Sequence, residues 1–186
     1  MMQRSELLET VEALTTDEII VPVMSAIKGW SELPQYFFWC TAMGYGSSVG
    51  LGLALARPER KVIVLDGDGS LLMNLGSLVT IAGLAPANLI HIVLENGLWE
   101  LPGSIPLPGE GRVSLSEMAR AAGIDSVHEY GEIGEFRAGL ESLLAQEGPT
   151  FVSARVAPGA GAGLPKQTLV GITRRLEEAL AAAPQA

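Results

Sequence analysis

Two short runs in this chain combine glycine, acid and amide in a way suited to holding a phosphate and a divalent cation. The first is Gly67-Asp68-Gly69-Ser70, which follows the β-branched run at 61–66 (KVIVLD). Its two glycines allow a tight turn with open backbone N–H groups. A helix starting there would add partial positive charge, which favours phosphate. Asp68 would then repel that phosphate unless a cation sat between them. Magnesium, a hard ion that takes oxygen ligands in an octahedron, suits the place. The second run, Glu95-Asn96-Gly97, follows another apolar stretch at 89–94 (LIHIVL). Asn96 lies 28 positions after Asp68, about the length of one strand-to-strand crossover. Adjacent strands would therefore bring Asp68, Asn96 and a nearby backbone carbonyl to one end of a sheet. Either run alone is an ordinary turn signal. Two of them, each ending a buried strand, carry the expectation.

The elements that must position these runs follow from periodicity. Leu7, Leu8, Val11 and Leu14 recur at helical spacing, predicting a helix over 3–14. Residues 19–23 (IIVPV) read as a short strand, in which Pro22 argues for a strand end or an edge. The stretch 43–56 has small residues on one face and aliphatics on another, which suits a helix packed very close to a neighbour. Strands are expected at 61–66, 89–94, 127–130 and 150–156, with helices at 70–82, 114–122, 134–146 and 168–183. Ser114 with Glu117 three residues on reads as an N-cap. Residues 101–111, rich in proline and glycine, are expected as loop, and 158–165 (PGAGAGLP) as a linker. Strands alternating with helices imply an α/β domain, a mainly parallel sheet with helices on both faces. Ligands in such sheets bind beyond the carboxyl ends of the strands. The 186 residues read as one domain, 1–186, closed by that linker and a terminal helix.

Composition narrows the class. Net charge is −9 with no Lys/Arg cluster, so nucleic acid is not an expected partner. Cys40 is the only cysteine, which excludes an intrachain disulfide and a cysteine-ligated iron–sulfur cluster built from this chain alone. No apolar run reaches the length of a membrane span, and the charged, amphipathic start is unlike a signal peptide. The expectation is a cytoplasmic protein without a membrane partner.

The spaced GDGS and EN motifs resemble the magnesium–diphosphate signature of thiamine diphosphate enzymes. The stretch 41–54 (TAMGYGSSVGLGLA) is similar to the segment that precedes it in the decarboxylase and acetolactate synthase branch. The run GDGSLLMNLGSLVTIA is most like the group containing the sulfopyruvate and phosphonopyruvate decarboxylases. The resemblance covers about residues 17–160. It implies a diphosphate-binding (PP-type) domain with thiamine diphosphate and Mg2+ as cofactors. Asp68, Asn96 and the Leu98 carbonyl would be the metal ligands. Gly67, Gly69 and Ser70 would meet the diphosphate, with Ser25 a further candidate. Met43 would be the apolar wedge that bends the cofactor, and the Thr41 carbonyl would accept a hydrogen bond from the pyrimidine amino group. The family usually has glycine at the position of Thr41. It also follows the asparagine with Thr, Gly and Gln, where this chain has the more apolar Trp99 and Leu101.

In this family the glutamate that activates the cofactor lies on a separate pyrimidine-binding domain. Glu95 and Glu100 are close to the motif but on the wrong side of the cofactor, and His91 and His128 read as structural. The resemblance therefore implies a hetero-oligomer in which an α-type subunit supplies that glutamate, acting on a small 2-oxoacid. A subunit of a split acetolactate synthase-like carboligase is an alternative, since carboligation shares the first intermediate. A non-catalytic scaffold that keeps the fold is another. The Glu-rich stretch that transketolase-like chains carry after GDG is absent.

Overall fold

A computed structural model describes residues 1–30, 32–100, 103–109, 111–159, 163–164 and 166–181. Its centre is a five-stranded sheet in the order β1-β2-β3-β7-β6, formed by β1 (Ile19–Pro22), β2 (Val62–Gly67), β3 (Leu89–Glu95), β7 (Thr150–Arg155) and β6 (Ser126–Tyr130). Every pairing in this sheet is parallel. β2, β3 and β7 are buried along nearly their whole length. Their unbroken aliphatic character follows from that, because a parallel sheet is covered on both faces.

Two layers supply the cover. On one face α1 (Arg4–Leu14) and α6 (Ile133–Leu144) pack Leu7, Leu8 and Val11 with Phe136 and Leu140 against Ile63, Leu65 and Ile92. On the other, α2 (Gly46–Ala56), α4 (Gly76–Leu84) and α5 (Leu115–Ala121) pack Leu51, Leu78 and Leu115 against Val62, Val64 and Val93. The expected tight approach is at Gly46 and Gly50. A Cβ on Gly50 would stand 2.1 Å from Val64 Cγ2, and one on Gly46 would stand 2.3 Å from Val23 Cγ2. Helix α2 thus lies on the sheet at a distance that only glycine permits. Ser114 Oγ accepts the Glu117 N–H at 3.1 Å, as its spacing predicts.

β1 is an edge strand, and the segment 36–40 runs beside it through isolated bridges, Ile20 to Phe37 and Val23 to Cys40. The helix expected over 70–82 is in fact two, α3 (Asp68–Leu72) and α4. Between them the backbone tightens to i→i+3 bonds, Asn74 N–H to Leu71 O and Ser77 N–H to Asn74 O. The Asn74 side chain donates from this turn to Gly44 O at 2.9 Å. The loop expected over 101–111 has residues 101, 102 and 110 outside the described set. Within it, β5 (Ile105–Pro106) pairs antiparallel with β4 (Leu98–Trp99), which precedes it. The expected linker at 158–165 falls partly outside the described residues as well. The terminal helix α7 (Leu169–Ala181) docks by Arg175, which donates to the Leu33 and Pro34 carbonyls.

Candidate functional site

β2 and β3 end in register, Gly67 beside Leu94, so the residues that follow leave the sheet together. Asp68, the first residue of α3, turns its carboxylate toward the neighbouring strand end. Its Oδ2 accepts the Asn96 and Gly97 N–H groups, each at 2.8 Å, and its Oδ1 accepts its neighbour Gly69 N–H at 2.7 Å. The two sequence motifs are therefore joined directly. Asp68 is 5% exposed. Burial pushes its carboxyl above the ordinary carboxylate range, three backbone N–H bonds oppose this, and the charge of Glu100 adds to the rise. Glu95 is raised in the same way, by burial first, against a hydrogen bond from Ser153.

These residues line a cleft at the carboxyl ends of β1, β2 and β3. Its walls include Ser25, Met43, Gly67, Asp68, Gly69, Ser70, Asn96 and Leu98. Eight of the nine residues expected at the site are thus brought together; Thr41 is exposed and stands outside the lining. Met43 is half-buried in a loop pinned to the helix after β2 by two bonds. Gly44 N–H donates to Ser70 Oγ at 2.9 Å, and Gly44 O accepts Asn74 Nδ2. Ser70 therefore positions the Met43 loop as well as lining the cleft. Gly69 is required by packing, because a Cβ there would stand 2.3 Å from the Trp99 ring. Gly67 is different. Its φ is −101°, open to any residue, and a Cβ would meet nothing within 4 Å. The space beside it opens to the cleft, where a side chain would intrude on a ligand rather than on the protein.

The donor set fits a magnesium–diphosphate group. Asp68 and Asn96 offer hard oxygen atoms, and Leu98 lines the same cleft. Among the described residues no cluster of three or more His, Cys, Asp or Glu side chains is poised for a metal. The remaining ligands would have to come from phosphate and water. A divalent cation would also relieve the buried carboxyl of Asp68.

Two features escaped the sequence reading. Arg4 of α1 reaches the cleft wall and pairs with Glu100, Nη2 lying 2.8 Å from both carboxylate oxygens. The signal was available: Arg4 falls on the same stripe as Leu8 and Val11, and a buried guanidinium demands an acidic partner. The other is Asp66, 1% exposed, whose Oδ2 is 3.3 Å from His91 Nε2. A histidine within an otherwise aliphatic buried strand required such a partner. His91 also lies edge-on to Phe151. His128 sits away from the cleft, stacked on Tyr130.

A family model described as "Thiamine pyrophosphate enzyme, C-terminal TPP binding domain" matches residues 23–154. A phosphonopyruvate decarboxylase of Streptomyces hygroscopicus is 41% identical over 146 residues, 77% of this chain, and the chain spans only 36% of its length. The sulfopyruvate decarboxylase subunit beta of Methanothermobacter thermautotrophicus is 35% identical over 163 residues, 86% of this chain and 84% of that one. Among solved structures, the thiamine diphosphate-dependent 4-hydroxybenzoylformate decarboxylase of Rhodococcus jostii RHA1 shares the fold. Its TM-score is 0.69 over 86% of this chain and 33% of that one, at 22% identity.

Proposed function

This chain belongs to the thiamine pyrophosphate enzymes, as their C-terminal cofactor-binding domain, and on that footing we propose that it is the diphosphate- and magnesium-binding subunit of a heteromeric 2-oxoacid decarboxylase. The observation that carries the reading is the direct bond between the two strand-end motifs, Asn96 N–H to Asp68 Oδ2, on a cleft that also holds Met43 and Gly67. A separate subunit is supported by the relative named a subunit beta, 84% of which the match covers. The substrate class we assign is a small 2-oxoacid like sulfopyruvate or phosphonopyruvate. We read residues 1–186 as one diphosphate-binding domain of a cytoplasmic protein. Among the described residues no helix is long and apolar enough to cross a membrane.

Bound in the cleft, thiamine diphosphate supplies the electron sink that lets a 2-oxoacid lose carbon dioxide. This chain's residues hold and orient. Asp68 and Asn96 give magnesium their side-chain oxygens, and Leu98 gives its carbonyl. Gly67, Gly69 and Ser70 meet the diphosphate from one wall and Ser25 from another. Met43 would present an apolar knob to the cofactor, and the Thr41 carbonyl, which stands outside the cleft lining, would reach the pyrimidine amino group only from the rim. The activating glutamate comes from the partner, whose surface also closes the cleft against water.

The test uses this chain with its partner subunit. Asp68→Ala should abolish magnesium-dependent retention of thiamine diphosphate in calorimetry while circular dichroism stays native. Unchanged cofactor affinity in that variant would sink the assignment. Carbon dioxide release from a panel of 2-oxoacids, with acetolactate assayed alongside, separates decarboxylation from carboligation.

A further inference from the structure

The amide of Asn96 is held at both ends. Its Oδ1 accepts the Leu98 N–H at 2.9 Å, and its Nδ2 donates to Glu100 Oε1 at 2.9 Å. A flipped amide would set an N–H against the Leu98 N–H and its oxygen against the Glu100 carboxylate. Both contacts would be repulsive, so these two partners decide which end of the side chain is the oxygen. Only the oxygen end can ligate a cation.

Glu100 is itself fixed from three directions. Arg4 Nη2 lies 2.8 Å from each of its oxygens, Asn96 donates to Oε1, and the Gly159 N–H donates to the same oxygen at 2.9 Å. The Arg4 side chain is 8% exposed and that of Glu100 is 16%. The carboxylate is thus held largely away from water, with the guanidinium facing it and Asn96 beside it. Glu100 also joins four separated parts of the chain: helix α1, the end of β3, its own loop and the segment after β7.

We propose that Arg4 and Glu100 are positioning residues for the cation site: Glu100 orients the Asn96 amide oxygen-outward, and Arg4 holds Glu100 in place. The N-terminal helix, remote in sequence from both motifs, thereby sets the quality of a metal ligand. Without Arg4, Glu100 keeps only the Asn96 Nδ2 and Gly159 N–H bonds, both on one of its oxygens, and its hold on the amide loosens. The inference rests on the cation reading given above.

The experiment titrates Mg2+ into the full chain with its partner at saturating thiamine diphosphate. Binding is read by calorimetry, turnover is read in parallel, and melting temperature is recorded for each variant. Glu100→Ala and Arg4→Met should raise the half-saturating Mg2+ by about 10- to 100-fold, the range for losing an outer-shell partner of a metal ligand. Turnover should recover at high Mg2+. Glu100→Gln, which keeps an acceptor for Asn96 Nδ2, should restore part of the affinity. A purely architectural pair would lower the melting temperature and leave the half-saturating Mg2+ where it was; that result overturns the proposal. Should Glu100→Ala not fold, Arg4→Lys and Glu100→Gln carry the test, with a smaller rise expected and no rise fatal. If the wild type itself shows no Mg2+-dependent binding, the cation reading fails and the proposal falls with it. Wild-type binding with unshifted variants sinks the proposal alone.

Discussion

Met43 and Cys40 sit on one short segment and make opposite demands on it. Met43 projects into the cleft from a loop that Ser70 and Asn74 anchor. If it bends the cofactor, Met43→Ala should lower kcat by on the order of 100-fold, the scale of losing a near-attack geometry. Its magnesium affinity should change little, because the ligands lie elsewhere. Normal turnover would reduce Met43 to a packing residue. Cys40 is turned inward, 3% exposed. Burial pushes its thiol above the ordinary value, a backbone hydrogen bond at Ala42 opposes this, and the charge of Asp66 adds to the rise. A raised pKa leaves less thiolate at any given pH, so alkylation at mildly alkaline pH should be slow. It should accelerate sharply when the chain is unfolded in urea. Equal rates in the two states would mean that the thiol is open to solvent. The meeting of Asp68 and Asn96 could be anticipated from the sequence because motif and spacing are local properties of the chain. The stripe that buries Arg4 was legible too, but not which acid it meets, since Glu100 is 96 positions away and only the docking of α1 brings the two together.

Among elements, α2 shows how much a helix-to-sheet distance depends on single atoms. Gly50→Ala puts a Cβ where Val64 already stands, and the helix must lift. The expected cost is about 1–3 kcal/mol, as for an overpacked core. Gly52 faces solvent on the same helix with nothing within 4 Å. Gly52→Ala should instead be neutral or stabilise by about 0.5–1 kcal/mol, the helical advantage of alanine over glycine. Urea denaturation of the two variants decides it; equal effects would mean that α2 does not rest on β2 through Gly50. Strands and most helices were foreseen because their residues obey one period over several turns. The division of α3 from α4 was not. It falls at Asn74-Leu75-Gly76, where two poor helix formers meet a tertiary hydrogen bond from Asn74 to Gly44. The β4–β5 pair was hidden for a similar reason: two-residue strands have no period to read.

At the level of the molecule, the uncharged surface of α2 and α4 has consequences for assembly. Neither 41–56 nor 69–94 carries a Lys, Arg, Asp or Glu. From these stretches Tyr45, Leu55, Met73, Val79 and Leu84 are exposed, and Met73 also lines the cleft. If the partner closes the cleft, this face is where it should rest. Val79→Glu should then shift the heteromer toward free subunits in light scattering while leaving the melting temperature of the isolated chain unchanged. Alone, the chain should release no carbon dioxide from any 2-oxoacid. Robust turnover without a partner would relocate the activating glutamate to this polypeptide. The strand order carries a further consequence, one of timing. β2 and β3 are neighbours in the chain as well as in the sheet, so the pair bearing Asp68 and Asn96 can form as soon as residue 97 is made. The other neighbour of β3 is β7, which begins at Thr150. Throughout the synthesis between them, an aliphatic strand presents an unpaired edge, the usual start of aggregation. A chain stopped after α6 should therefore precipitate, and slower translation at low temperature, which prolongs that interval, should demand a chaperone rather than help.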